Sequence, residues 1–446
     1  MKLLKRLTRL GSITEVSNGR TQSSSELCSN IEMRVIQFKK QGLKPNDRVL
    51  LHYGNSIEFF IDLLALWSAG AGAVPLDTRN RLNLATQPQA NFEIQEAHGP
   101  LVPLSFDSKV EYNGAHLVLY SSGSTASPKT IIHNLAALEN KISTFEKIFP
   151  NDEFMRSLCI LPTHFGHGLI GNSLFPLLTG QHLFIAPAFD FKGIFLLAAL
   201  VDQYKITFLS SVPSVWRILE GQTGPSLGSL KRIHCASAPF TGDLYDKIIK
   251  WAPSAKIFNV YGTTELASWI SGYEIRSTAD EAYVGSGWDV EFKLTDEDTN
   301  GQGRVWARLL KTENNESWQD TSDLGSLDPR KGLKLFGRAD DIINNGGLKV
   351  HPDVVEKYLL QHSAIVSACV FSLPHSITGE SVAAAVVLKN KIQIETHQLE
   401  NWCRQHLESF QIPTRWFILN DLPINSRGKV SRHSLREFCL AIKENV

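Results

Sequence analysis

At 446 residues, with 43% hydrophobic and 20% charged side chains, the chain is long enough for two or three domains with buried cores, and its composition excludes a wholly disordered protein. Lys and Arg number 45 and Asp and Glu number 45, which argues against a basic nucleic-acid-binding face and makes any nucleotide site a local one. Apolar runs such as 194–201 fall far short of the roughly 20 residues that a membrane span needs, so no integral membrane association is expected.

The first ten residues, MKLLKRLTRL, are basic and faintly amphipathic but lack the apolar core and cleavage site of a signal peptide, and they read as a surface helix. Residues 25–41 predict a helix stopped by Gly42. A strand at 48–53, a helix at 57–69 and a strand at 72–76 then form a βαβ unit. The alternation returns with strands at 156–161, 182–186 and 206–210 and helices after Gly168 and from Phe191. Such a series predicts an α/β fold with parallel-rich sheets. The charged turn at 337–341 breaks the pattern. After it come a helix (352–362), strands (364–371 and 382–388) and a helix (397–409), a smaller α+β module. The expected domains are 1–338 and 339–446. Six scattered cysteines with no CxxC spacing read as inert thiols in a reducing, cytoplasmic setting.

The first chemical signal is the loop 120–129, Tyr-Ser-Ser-Gly-Ser-Thr-Ala-Ser-Pro-Lys, directly after an apolar strand. Ser122, Gly123, Ser124 and Thr125 can present backbone N–H groups and hydroxyls to an anion, and Lys129 adds a point charge suited to phosphate. The GxxxxGK[ST] spacing of a Walker A loop is absent, and by itself the run is also an ordinary serine-rich turn. Further along stand Cys235-Ala236-Ser237-Ala238-Pro239, Asn259-Val260-Tyr261-Gly262-Thr263-Thr264-Glu265, Thr321-Ser322-Asp323, Gly337-Arg338-Ala339-Asp340-Asp341, Gly346-Gly347-Leu348-Lys349-Val350, and a run from Leu422 to Arg432 that contains Lys429.

Taken in order, these motifs resemble those of the adenylate-forming (AMP-binding) superfamily, which includes acyl-CoA synthetases, peptide-synthetase adenylation domains and firefly luciferase. The resemblance spans roughly residues 25–435. Ser121, Ala126, Thr130, Ser322 and Asn425 depart from the family pattern.

The resemblance implies a large N-terminal domain, a small mobile C-terminal domain, and ATP, Mg²⁺ and CoA (or a phosphopantetheine thiol) as cosubstrates and cofactors. It assigns Ser122 to Thr125, Lys129, Ser237, Ala238, Pro239, Asn259, Tyr261, Gly262, Asp323 and Arg338 to ATP or AMP. Lys429, Thr264 and Glu265 are the implied catalytic groups, and Glu265 is also the metal ligand. Asp340 is the implied hinge and Gly347 lies on the implied thiol tunnel.

The implied acyl pocket includes His164, Phe165, His167, Gly168 and Thr263. Each histidine stands one residue out of the family register, so which one fills the aromatic position is open. No Asp occurs in residues 161–174 to pair a substrate ammonium, so an aryl or aliphatic acid is expected rather than an α-amino acid. The expected reaction is ATP-dependent formation of an acyl-adenylate and pyrophosphate, followed by transfer to a thiol, with CoA expected. Rival acceptors are a carrier-protein phosphopantetheine or an amine. A rival of another class is a non-catalytic nucleotide or acyl-AMP sensor.

Overall fold

The structure is a computed structural model that describes residues 2–76, 90–104, 113–121, 129–188, 191–310, 317–389, 394–423 and 430–443. Contacts divide the chain into two compact units, Met1–Glu291 with Arg308–Gln319, and Phe292–Ala307 with Asp320–Val446. Residues 292–307 and 320–338 therefore group with the C-terminal unit. The 338/339 boundary expected from the break in sequence pattern falls at the end of strand Gly332–Arg338.

In the first unit, helix Ser24–Lys40 begins where Ser23 and Glu26 exchange hydrogen bonds in a capping box, and Gly42 at φ 96° follows its end. Its stripe of Leu27, Ile31, Arg34 and Phe38 is buried, and the helix packs against helix Ile57–Ser68, which is buried from Ile57 to Trp67. Arg34 meets buried Asp62 at 2.6 Å, so neither charge is left uncompensated.

The N-terminal segment is helical with one face exposed, as expected of a surface helix, but only briefly so. It forms a short helix, Lys2–Lys5, and a tight turn, Arg6–Arg9, with Leu3, Arg6 and Leu10 buried. The basic residue Arg6 turns inward because Glu139 at 2.8 Å and Glu146 at 3.0 Å compensate its charge.

Two sheets carry this unit. In the six-stranded sheet, Phe92–Ile94, Arg48–Leu51, Gly72–Pro75 and His116–Ser121 are parallel neighbours, with antiparallel Val102–Pro103 and Lys129–Asn134 at the edges. In the eight-stranded sheet, the parallel strands run in the order Lys256–Thr263, Arg232–Ala236, Phe208–Ser211, Arg156–Cys159, His182–Ile185 and Ile13–Glu15. Antiparallel Ser268–Ile275 and Thr21–Gln22 close its ends. Strands Phe208–Ser211 and Arg232–Ala236 are buried at every residue, as expected where both faces are covered. The α/β class with parallel-rich sheets is thus observed.

In the second unit, strand Gly379–Leu388 pairs antiparallel with Ile365–His375 and parallel with Arg415–Leu419. Helices Pro352–Leu359 and Thr396–Arg404 share one apolar cluster with this sheet, and helix Arg432–Lys443 shares another. Among the described residues no helix is long and apolar enough to cross a membrane.

Candidate functional site

Open parallel sheets bind ligands beyond the carboxyl ends of their strands, where loops diverge and backbone groups are free to face a ligand. The implied acyl segment, the implied adenine segment and Tyr261–Glu265 of the first unit lie there. Strand Arg156–Cys159 leads into Leu161–Leu169, Arg232–Ala236 leads into Ser237, and Lys256–Thr263 ends in Tyr261–Glu265.

After residue 159 the chain is held by Asn55, on the loop after strand Arg48–Leu51 of the other sheet. Its amide donates to the carbonyls of Leu161 at 2.9 Å and Ala186 at 3.0 Å, and its oxygen accepts from the Thr163 N–H at 3.0 Å. The helix expected after Gly168 is a π-helical segment, His167–Leu174, continued by Phe175–Leu178. Such widened turns often accompany functional sites. Gly168 is required here because a Cβ would stand 2.1 Å from the Pro162 carbonyl oxygen.

The two histidines part company at this point. His167 is 7% exposed, and its ring joins Ser210 Oγ through Nε2 at 2.7 Å and Ser237 Oγ through Nδ1 at 3.1 Å. His164 is half-buried, with its ring 5.4 Å from that of Phe165. One histidine therefore joins the implied acyl segment to the implied adenine segment. Ser237 sits at φ 75°, the left-handed turn that ends its strand, while Ala238 and Pro239 are exposed.

In the hairpin that carries the third motif, Tyr261 is buried and Asn259 donates to the Tyr283 carbonyl at 2.8 Å. The pairing shifts register between Tyr261 and Gly262. The Thr263 hydroxyl accepts from the Leu266 N–H at 3.2 Å, so it braces the turn that presents Thr264 and Glu265. His133, on the strand after the 122–128 loop, hydrogen-bonds the Thr264 backbone, and burial pushes its pKa down to about 4, which keeps it neutral near pH 7.

Lys129 is exposed at the start of that strand. Ser122, Gly123, Ser124, Thr125 and Lys429 lie outside the described residues. Among the described residues no group of three or more His, Cys, Asp or Glu could hold a metal. Half-buried Glu265 alone fits a Mg²⁺ ion bound mainly through nucleotide phosphates.

The second unit brings other predicted residues together. Asp323 and Arg338 face each other across one hairpin, with Arg338 Nη1 3.3 Å from Asp323 Oδ1 and 3.1 Å from the Thr321 carbonyl. Asp340 lies 3.8 Å from both Arg338 and Arg304. Ser322 holds φ 56°, a left-handed conformation that explains why the family pattern has glycine there. Gly346 (φ 63°) and Gly347 (φ 90°) make a two-residue hairpin turn that needs positive φ at both positions, and the Gly347 N–H donates to Asn344 Oδ1 at 2.9 Å.

Sequence reasoning missed Asn55, Ser210 and His133. Each is a polar residue near a strand end or in a turn, with no motif around it.

The profile of the AMP-binding enzyme family matches residues 82–309, and that of the AMP-binding enzyme C-terminal domain matches residues 354–429. An oxalate–CoA ligase from Saccharomyces cerevisiae is 27% identical over 75% of this chain and 65% of its own length, so this chain spans just under two thirds of that relative. An oxalate–CoA ligase from Arabidopsis thaliana is 25% identical over 90% of each chain. The structure of ATP-bound MatB from Rhodopseudomonas palustris superposes with a TM-score of 0.84 at 22% identity, over 98% of both chains, and shares the fold.

Proposed function

Because the chain belongs to the AMP-binding enzyme family and is an acid–thiol ligase working through an acyl-adenylate, we propose that it activates an aryl or aliphatic acid, not an α-amino acid, and passes the acyl group to CoA. The observation that supports this reading is the bond from His167 to Ser237, which joins the implied acyl and adenine segments at the carboxyl ends of strands Arg156–Cys159 and Arg232–Ala236, with Ser210 of the strand between them on the same ring. The absence of Asp from 161–174 supports the exclusion of an amino acid.

A carboxylate cannot be displaced by a thiol, since its leaving group would be oxide. Attack of the carboxylate on the α-phosphorus of ATP expels pyrophosphate and leaves a mixed anhydride with AMP. The thiol then attacks the acyl carbon and AMP departs.

Two anions meet in the first step, so positive charge must stand where negative charge accumulates. Lys429 is assigned to the acid and α-phosphate, and Lys129 with residues 122–125 to the departing pyrophosphate. Tyr261 is assigned to adenine, with Ser237, Ala238 and Pro239 flanking it. Asp323 and Arg338 are assigned to the ribose hydroxyls and Thr264 to the α-phosphate. Glu265 would hold Mg²⁺, which supplies charge screening of the phosphates. Residues 339–446 turn about Asp340 between the two steps, exchanging Lys429 for the Gly347 turn. A cytoplasmic location is part of the same proposal, consistent with six free cysteines.

Acid-dependent pyrophosphate release is measured across a panel of aryl and aliphatic acids, followed by acceptor competition among CoA, a holo-carrier protein and amines. CoA thioester formation is the expected result. A carrier or amine product transfers the reading to those acceptors, and tight ATP binding without turnover on any acid replaces the ligase with a sensor. Lys429→Ala is expected to abolish adenylation while sparing thioester formation from supplied acyl-AMP. Equal loss of both steps removes Lys429 from its role.

A further inference from the structure

Helix Arg432–Lys443 begins three residues after Lys429. Its first residue turns back into the second unit. Arg432 Nη1 lies 2.7 Å from Asp341 Oδ2, and Nη2 lies 2.5 Å from Asp353 Oδ1 and 2.9 Å from Glu356 Oε1. Its Nε donates to the Val370 carbonyl at 3.0 Å, and the Val370 N–H donates to Glu356 at 2.8 Å. One planar fork thus grips the hinge turn, helix Pro352–Leu359 and strand Ile365–His375 at once.

Surface ion pairs contribute little, but this guanidinium is only 21% exposed and its partners between 16% and 31%, so a loose arrangement would leave charges unpaired. Asp341 directly follows the proposed pivot Asp340. Three residues of chain reach at most about 10 Å, so the position of Arg432 bounds where the backbone that carries the Lys429 side chain can stand.

We propose that Arg432 is a positioning residue for adenylation, fastening the chain that carries Lys429 to the hinge turn through Asp341, Asp353 and Glu356. This rests on the reading of Lys429 given above.

The cluster also makes the fastening sensitive to pH. Asp341 from the hinge turn, Asp353 and Glu356 from their helix, the Cys369 thiol from the neighbouring strand, and Arg432 all face one another. Three carboxylates exceed one guanidinium. Burial, with Asp353 adding to it, pushes Glu356 up to about 7, against the pull of Arg432 and the Val370 N–H. Protonation of Glu356 below that value weakens one arm of the grip.

The test compares wild type, Arg432→Lys and Glu356→Gln in two assays with the full chain, acid-dependent pyrophosphate release and thioester formation from supplied acyl-AMP, alongside thermal melting. Arg432→Lys keeps the charge and loses the fork. It is expected to slow adenylation on the order of 10²-fold while KM for ATP and the thioester step stay within about twofold. Glu356→Gln is expected to flatten the dependence of the adenylation rate on pH between 6 and 8.

Equal slowing of both steps with a lower melting temperature identifies a merely structural cluster and overturns the proposal, as does an unchanged adenylation rate in Arg432→Lys. Lys429→Ala separates the two failures. If it leaves adenylation intact, the reading of Lys429 falls; if it abolishes adenylation while Arg432→Lys does not, only the positioning role falls.

Discussion

Replacing Gly262 by alanine puts a methyl carbon 2.2 Å from the Ser268 carbonyl oxygen and 2.7 Å from its carbon. An unstrained C···O contact is about 3.3 Å, so one arm of the hairpin must retreat by about 1 Å. Neither arm is free to do so. Ala267 (φ 54°) and Ser268 (φ 79°) already occupy the left-handed region, and the register shift at Tyr261 and Gly262 fixes the approach. Forced overpacking of this kind costs about 1–3 kcal/mol.

For the first unit, roughly 300 residues long, an unfolding entropy near 2.1 cal/mol/K per residue converts that into a fall in melting temperature of about 2–5 °C. The same 1 Å displaces Thr264 and Glu265, and misplacement on that scale lowers a rate on the order of 10²-fold. Differential scanning calorimetry and acid-dependent pyrophosphate release read the two effects. Gly166→Ala is the control for stability, because its Cβ meets the same Ser268 at an ordinary 3.5 Å and its φ of −55° suits any residue. It is expected to be neutral or stabilising by up to about 1 kcal/mol. A wild-type melting temperature and rate in Gly262→Ala, or equal damage in Gly166→Ala, refutes this account of the hairpin.

Asp323→Asn removes the nearer carboxylate partner of Arg338, leaving Asp340 at 3.8 Å, and takes a charged acceptor from the proposed ribose site; a rise in KM for ATP of about tenfold or more is expected by steady-state kinetics, with thermal stability changed little. Ser322→Gly relieves a left-handed backbone at the cost of a more flexible unfolded chain, so melting is expected to shift upward by no more than about 1 kcal/mol, while Ser322→Val lowers it. Glu356 titrates above the ordinary carboxylate range in the native state. Between that range and about pH 7 the folded chain holds a proton that the unfolded chain has released, and stability falls as pH rises. Denaturant titrations across pH 4–8 are expected to show this slope in wild type and its loss in Glu356→Gln.

Much of the fold and the family were legible before any coordinates. The helices expected at 25–41 and 57–69 stand at 24–40 and 57–68, the first followed by Gly42 as expected. The motifs are short, contiguous runs that carry their chemistry in residue type and order. The inward turn of Arg6 was not legible, because a basic amphipathic pattern says nothing about Glu139 and Glu146, more than 130 residues away, which draw it in. The widened helix after Gly168 was equally hidden, since residues 167–174 carry the same apolar periodicity whether they close α or π turns.

The sequence alone determined the order of strands and helices, the family and the residues able to handle a nucleotide, because those depend on local pattern. Tertiary structure alone decided that His167 rather than His164 joins Ser210 and Ser237, that Asn55 holds the loop at 161–163, and that Arg432 grips three carboxylates. Those partners lie 43 to 108 residues apart in sequence, and such pairings arise from how the sheets bring distant strand ends together, which no local pattern encodes.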